Sequence, residues 1–206
     1  MTGLRIGLDF DNTLASYDRV FAEAARAAGL AGVDFSGGKH DVRALCRARR
    51  DGETEWMRLQ GVTYGALMHR AGLMAGAGDF LDRCRGAGAR VFIVSHKTEY
   101  GHFDETRVSL RKAALDWMRA NGFFDRDRFG LSSDDVFFEN DRASKVGRIA
   151  ALACSHFVDD LEEIFSEPGF PSQTRRILFT AGRSAVPGPY LALSDWNAIG
   201  DAILGS

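Results

Sequence analysis

The sequence predicts an α/β protein with a parallel sheet between two layers of helices, a three-layer Rossmann-like arrangement. Two observations lead to this fold class. First, short apolar runs of the kind that form buried strands alternate with helical segments along most of the chain. These runs span residues 4–8, 90–94, 136–138, 156–158, 177–179 and 190–193. Second, helices between successive strands favour parallel pairing with right-handed crossovers.

A block of helices follows the first strand directly. Helix-forming segments cover 20–28, 41–50 and 53–74, and we find no credible strand between Ala15 and about Gly78. This block is too long for a single crossover connection. We therefore expect an α/β core made of residues 1–15 and 77–206, with a small helical cap inserted at 16–76.

Composition narrows the class of protein. A chain of 206 residues has room for one α/β domain with a small inserted module. Its formal net charge of −2 gives no electrostatic basis for binding nucleic acid or an anionic membrane. No apolar run approaches the length of about 18 residues that a membrane span needs. We expect neither a nucleic-acid partner nor a membrane.

Cysteine usage and the start of the chain favour a cytoplasmic location. Cys46, Cys84 and Cys154 are scattered and show no paired spacing, which indicates reduced thiols. Met1 is followed almost at once by the first strand, so we expect no signal peptide. The oligomeric state is left open by the sequence.

Polar residues follow three of the predicted strands. The first strand ends in Asp9 and Asp11, the second in Ser95, and the fourth in the pair Asp159-Asp160. Parallel strands deliver their carboxyl ends to one edge of a sheet, where such folds bind ligands. Four carboxylates gathered there would repel one another unless a cation lay among them. Oxygen ligands of this kind suit Mg²⁺.

These clusters resemble the sequence motifs of the haloacid dehalogenase superfamily. DFDNT, at 9–13, is similar to its DxDxT signature, IVSHKT to its second motif and FVDD to its acidic fourth, and Lys145 is a candidate for the third. An acidic turn alone could also be a calcium-type loop or a solvated turn. The four motifs occur in the order typical of the superfamily and span nearly the whole chain, which favours the resemblance. The resemblance implies a magnesium-dependent phosphatase.

The resemblance implies a role for each motif residue. Asp9 would attack phosphorus to give an aspartyl-phosphate, and Asp11 would be the general acid and then the base. The backbone carbonyl of Asp11 would also bind the metal. Thr13 would orient the site, Ser95 would donate to a phosphoryl oxygen, and Lys145 would neutralise charge on the nucleophile and the phosphate.

Some assignments remain open at this stage. Lys97, beside Ser95, is a rival to Lys145 as the lysine that neutralises the phosphate. The predicted metal ligands are Asp9, Asp11, Asp159 and Asp160. Within the acidic pair we expect Asp160 to contact the metal directly and Asp159 to lie in its outer shell. The predicted substrate contacts are Asn12, Ser95, His96 and Lys97.

The function predicted is magnesium-dependent hydrolysis of a small-molecule phosphate monoester, of the sugar phosphate or nucleotide class. Asp11 argues against dehalogenation, because a departing halide needs no proton. Phosphonate cleavage would need a Schiff-base lysine in the cap, and nothing around Lys39 indicates a depressed pKa. Two alternatives stay open: a phosphotransferase that uses the same intermediate, and a binding or regulatory module of the same fold without turnover.

Overall fold

A computed structural model describes residues 3–205 of the chain. Its main sheet has six strands, all parallel, in the order β5-β4-β1-β6-β7-β8. The strands are β1 (Arg5–Leu8), β4 (Arg90–His96), β5 (Val136–Glu139), β6 (His156–Asp159), β7 (Arg175–Phe179) and β8 (Leu191–Leu193). All six predicted strands are confirmed. Two further strands of two residues, β2 (Ala15–Ser16) and β3 (Gly72–Leu73), pair with each other and were not predicted.

Seven α-helices accompany these strands in the described residues. They are α1 (Asp18–Ala27), α2 (Lys39–Arg47), α3 (Gly52–Tyr64), α4 (Ala77–Gly86), α5 (Leu110–Ala120), α6 (Arg142–Ala151) and α7 (Trp196–Leu204). Short 3-10 turns lie at Met68–Arg70, Ser133–Asp135 and Glu162–Ser166. None of the described helices is both long and apolar enough to cross a membrane.

Strand β1 lies at the centre of the sheet because it is apolar on both faces. Ile6 and Leu8 on one face and Gly7 on the other are all buried, as expected for a strand covered by helices on each side. Leu8 is in register with Ile93 of β4 and with Val158 of β6. The next residue, Asp9, still donates its backbone N–H to the carbonyl of Val158 at 2.9 Å. The residues that follow β1 therefore lie between the carboxyl ends of β4 and β6.

Two layers of helices cover the sheet. On one side α6 contributes Val146 and Ile149 to a buried cluster that includes Phe92 and Phe157 of the strands. The other layer is formed by α4 and α7, which pack against each other. There, the Trp196 ring lies 4.8 Å from that of Phe80 and 5.5 Å from that of Phe179, between ring centroids. The three-layer α/β/α prediction is confirmed.

The chain divides into two compact units. One contains the main sheet and consists of the segments up to Ala15, Leu73–Lys97 and from Asn121 onward; the other consists of Ser16–Gly72 and Thr98–Ala120. The second unit begins where the predicted cap begins, but it also includes α5, which the sequence analysis placed in the core. The reason is packing: α5 contacts α3 and the turn at 68–70, and the Trp117 indole donates to the carbonyl of Ala71 at 2.9 Å. The function of this unit as a cap stays a prediction.

Aromatic side chains hold the second unit together. The Phe21 and Trp56 rings stack at 5.2 Å, and the Tyr17 and Tyr64 rings meet edge to face at 4.8 Å. Such contacts add to the stabilisation that burial of their apolar surface provides. The residues lie on α1, on α3 and just before α1, so they join these two helices.

Candidate active site

The polar residues that follow β1, β4 and β6 come together at the carboxyl edge of the sheet. Asp9, Asp159 and Asp160 each place a carboxylate oxygen within 4.8 Å of the others. Asp9 is 5% exposed and Asp159 is fully buried. Ser95, near the end of β4, is also buried. This convergence follows from strand order, because β1 lies between β4 and β6.

Lys145 joins two of these carboxylates. Its ammonium group donates to Asp9 Oδ1 and to Asp159 Oδ2, both at 2.6 Å. The lysine sits in the first turn of α6, whose start is fixed by Asp141, which accepts a hydrogen bond from the backbone N–H of Ser144 at 2.7 Å. Burial by itself would lower the pKa of Lys145, but the two carboxylates outweigh it and raise that pKa. The lysine is therefore a fixed cation at this position.

Lys97 pairs with the other predicted catalytic carboxylate, that of Asp11. The lysine nitrogen lies 2.8 Å from Asp11 Oδ2 and 3.1 Å from Oδ1. Its side chain is only 2% exposed, and its backbone N–H donates to the carbonyl of Glu139 at 3.0 Å. The ammonium group also lies 5.6 Å from the centroid of the Phe10 ring. The two rival lysines thus have different partners: Lys145 contacts Asp9, and Lys97 contacts Asp11.

A tight turn presents Asp9 and Asp11 from the end of β1. Asn12 adopts a positive φ of 61°, a conformation that asparagine tolerates better than most residues. The backbone N–H groups of Leu14 and Ala15 both donate to the carbonyl of Phe10 at 3.0 Å. Thr13 lies within this turn, fully buried. Its Oγ1 is 3.5 Å from Asp9 Oδ2, and its carbonyl accepts from the Trp196 indole at 3.3 Å.

The two acidic residues after β6 differ in how their oxygens are engaged. Asp159 Oδ2 accepts from Lys145, and its Oδ1 accepts from the backbone N–H of Leu161 at 3.0 Å. Burial raises the pKa of Asp159, although Lys145 opposes this effect. Asp160 has a looser partner, the exposed Arg183, at 3.9 Å from its Oδ2. Which residue of the pair contacts a metal directly stays a prediction, since both carboxylates belong to the acidic group.

The donor set fits a divalent metal ion. Four carboxylates, of Asp9, Asp11, Asp159 and Asp160, face two buried lysines and the exposed Arg183, so one negative charge remains in a region that is largely shielded from water. Uncompensated charge of this kind is costly to bury. Three of the carboxylates lie close enough to offer oxygens to one ion. Oxygen donors in this number suit Mg²⁺, which takes one or two carboxylates and completes its shell with water and phosphate oxygens.

Not every predicted site residue joins this cluster. His96 is exposed at the end of β4, and Asn12 is half-buried in the turn. Arg183 was not singled out by sequence analysis, although its guanidinium donates to the carbonyl of Asp160 at 3.5 Å. Nothing in the sequence distinguishes Arg183, because it is a single arginine in the loop after β7 and belongs to no motif.

Comparisons with known proteins extend the interpretation of the fold. No family model and no curated protein matches the chain. Among solved structures, a candidate phosphoglycolate phosphatase from Lactobacillus delbrueckii aligns over 100% of both chains with 17% identity and a TM-score of 0.61. A haloacid dehalogenase-like hydrolase from Streptococcus pneumoniae covers 97% of this chain and 98% of its own, with 13% identity and a TM-score of 0.61.

A third structure, protein tyrosine kinase A of Mycobacterium tuberculosis, covers 98% of both chains with 14% identity and a TM-score of 0.63. Identities this low establish the fold alone. The chain has the fold of the haloacid dehalogenase superfamily, as its motifs predicted.

Proposed function

We propose that the protein is a magnesium-dependent phosphatase that hydrolyses a small-molecule phosphate monoester through an aspartyl-phosphate. One observation carries this proposal: Lys145 bonds to both Asp9 and Asp159, while Asp160 lies within 4.8 Å of both carboxylates. The arrangement combines a carboxylate nucleophile, a fixed cation and a site for a metal at one point. The neighbour described as a candidate phosphoglycolate phosphatase supports the same chemistry.

The first step uses an oxygen of Asp9 that faces little competition. Oδ1 is engaged by Lys145 at 2.6 Å, whereas Oδ2 has a longer contact, of 3.5 Å, to the Thr13 hydroxyl. Oδ2 forms the new bond to phosphorus as the bond from phosphorus to the leaving oxygen breaks. Asp11 gives its proton to that leaving oxygen. Lys145 and the Ser95 hydroxyl stabilise negative charge on the transferring group.

The second step reverses the role of Asp11. Its carboxylate takes a proton from water as the water oxygen attacks phosphorus, the bond from phosphorus to Asp9 breaks, and inorganic phosphate leaves. Bound Mg²⁺ would neutralise charge on the phosphoryl group. Asp9, Asp160 and the backbone carbonyl of Asp11 would hold it, with Asp159 in the outer shell. The sugar phosphate or nucleotide class of substrate, and substrate contacts from Asn12 and His96, belong to this proposal.

The test is phosphate release from a broad panel of phosphate esters, with Mg²⁺ and with EDTA. Wild type is compared with Asp9→Asn and with Asp127→Asn, a matched substitution at an exposed loop residue. We expect release that needs Mg²⁺, falls about 10³-fold or more in Asp9→Asn and is unchanged in Asp127→Asn. Full activity in Asp9→Asn would remove Asp9 as the nucleophile, and silence towards every ester would favour a binding module.

Transfer to an acceptor other than water is the second candidate. The observation that favours it is the similarity in fold to a structure described as a protein tyrosine kinase. The two reactions share the aspartyl-phosphate and differ in what attacks it. Adding alcohols or a tyrosine peptide to the assay separates them: a transferase gives a phosphorylated acceptor and faster turnover, whereas a phosphatase gives inorganic phosphate at an unchanged rate.

A further inference from the structure

A tight turn after the carboxyl end of β7 brings Arg183 back towards the end of β6. The turn spans residues 180–183, and the backbone N–H of Arg183 donates to the carbonyl of Thr180 at 3.0 Å. Its two central residues, Ala181 and Gly182, have φ values of 49° and 81°. Positive φ at both central positions is typical of type I′ turns, in which glycine, asparagine and aspartate are favoured. Ala181 therefore adopts a conformation that its side chain disfavours, and such strain tends to occur at functional sites.

The turn fixes the base of the Arg183 side chain and leaves its tip beside Asp160. Nε donates to the same Thr180 carbonyl at 2.9 Å. Nη2 lies 3.5 Å from the carbonyl oxygen of Asp160 and 3.9 Å from its Oδ2. The ends of β6 and β7 are neighbours, since Asp159 is in register with Leu178. The guanidinium therefore lies next to the residue that the proposed mechanism makes a direct metal ligand.

Arg183 differs in exposure from the two lysines at this edge of the sheet. The side chains of Lys145 and Lys97 are 4% and 2% exposed, and carboxylate oxygens lie 2.6 Å and 2.8 Å from their nitrogens. The Arg183 side chain is 42% exposed, and its contact with the Asp160 carboxylate is longer, at 3.9 Å. A long and partly solvated ion pair is weak. The guanidinium can therefore leave Asp160 for a stronger partner with little loss of free energy.

The position of Arg183 has opposite consequences for the two ligands of the proposed active site. A divalent cation bound by Asp160 competes with the guanidinium for that carboxylate and is repelled by its positive charge. A phosphate oxygen, in contrast, gains a charge-assisted hydrogen bond from the planar fork of an arginine. Asp160 is only 9% exposed, so salt screens these effects less than it would at a fully solvated residue.

We propose that Arg183 exchanges partners when substrate binds: it pairs with Asp160 beforehand and donates to the phosphate oxygens afterwards. The inference rests on the proposed function, because it needs phosphate and Mg²⁺ to bind at this edge of the sheet. Arg183 thus weakens the binding of Mg²⁺ alone, and the arrival of phosphate releases Asp160 for the metal. The exchange adds a positive coupling between the two ligands to whatever direct contact they make.

The experiment measures both affinities by isothermal titration calorimetry on the full chain after metal has been removed with EDTA and dialysis. The titrants are MgCl₂ alone, inorganic phosphate alone, and MgCl₂ in the presence of saturating phosphate. In Arg183→Gln we expect Mg²⁺ alone to bind about 3- to 10-fold more tightly than in wild type. Phosphate alone should bind about 10-fold more weakly. Arg119→Gln, at an exposed arginine that pairs with Asp116, should change neither affinity.

A merely structural role of Arg183 would not produce the first result, because damage to the fold does not tighten metal binding. The exchange of partners also predicts that phosphate tightens Mg²⁺ binding less in Arg183→Gln, where Asp160 is already released, than in wild type. Where wild type binds both ligands, unchanged or weaker Mg²⁺ binding in Arg183→Gln would overturn this inference alone, as would an equal gain from phosphate in the two proteins. Wild type that binds no Mg²⁺, or no phosphate even with Mg²⁺ present, would overturn the proposed function as well.

Discussion

Lys97 Nζ lies 2.8 Å from one carboxylate oxygen of Asp11 and 3.1 Å from the other. The lysine is almost fully buried, so its position is set by packing and by its backbone hydrogen bond to Glu139. In the proposed mechanism Asp11 delivers a proton to the leaving oxygen. A cation held against both of its oxygens therefore fixes the direction in which that carboxyl group points.

Replacing Lys97 should affect substrates according to their leaving group. In Lys97→Met we expect kcat for alkyl phosphates to fall by about 10- to 100-fold, because a poor leaving group needs an oriented acid. For p-nitrophenyl phosphate, whose leaving group departs without a proton, the loss should be about 3-fold or less. Steady-state kinetics on both substrates measure the difference, with Lys112→Met at an exposed lysine as control. Equal losses on both substrates would contradict a role in orienting Asp11.

Removing Lys145 should destabilise the fold as well as stop turnover. Lys145→Met leaves Asp9 and Asp159 buried without their shared cation, and loss of one member of a buried ion pair typically costs about 3–5 kcal/mol. The free energy of unfolding, measured by urea titration without metal, gives this value. The double variant Lys145→Met/Asp159→Asn should recover part of the loss, because it removes one of the unpaired charges. A loss below about 1 kcal/mol in the single variant would contradict the buried pairing.

The two acidic residues after β6 should differ in their effect on metal binding. Mg²⁺ at about 100 times its Kd should raise the free energy of unfolding of wild type by about 2.7 kcal/mol. Asp160→Asn should abolish this increase, since Asp160 is the proposed direct ligand. Asp159→Asn should weaken Mg²⁺ binding by about 10- to 100-fold, as an outer-shell change does. Thermal melts with Mg²⁺ and with EDTA report both, and the reverse order would assign the direct contact to Asp159.

The buried His156 should make stability fall in acid. Its pKa is lowered by burial and by Arg175 from an ordinary value of 6.5, so the unfolded chain takes up a proton before the folded protein does. The stabilisation is complete above pH 6.5 and is lost progressively as the pH falls below it. Urea titrations at pH 7.5 and 5.5 should show a smaller decline in His156→Gln than in wild type. His102→Gln, at an exposed histidine, should decline as wild type does.

The sequence predicted the sheet well because its strands are short apolar runs between helices, a pattern set by burial on both faces. For the site, the predicted order of parallel strands was enough to place Asp9, Ser95 and Asp159 at one edge of the sheet. It could not separate Lys97 from Lys145, because the choice depends on which carboxylate each side chain reaches. Strands of two residues, such as Ala15–Ser16, are too short to show any periodicity.

The assignment of α5 shows another limit. Its amphipathic pattern predicted that one face is buried, and Trp117 and Met118 are indeed buried. Periodicity does not reveal which neighbour covers that face. The contact that decides the question, from Trp117 to Ala71, joins residues 46 positions apart, so no local pattern indicates it.

The pairing of Asp9 with Lys145 joins residues 136 positions apart in the chain. During synthesis Asp9, the proposed nucleophile, leaves the ribosome long before its lysine partner and before the strand that carries Asp159. Contacts between such distant residues form slowly, because a long loop must close first. A nascent chain that ends before α6 therefore contains the acidic turn but lacks Lys145, the cation that pairs with Asp9. Under the proposed mechanism, only chains that extend past β6 would be active. Chains that end earlier would be inactive even where their first helices have folded.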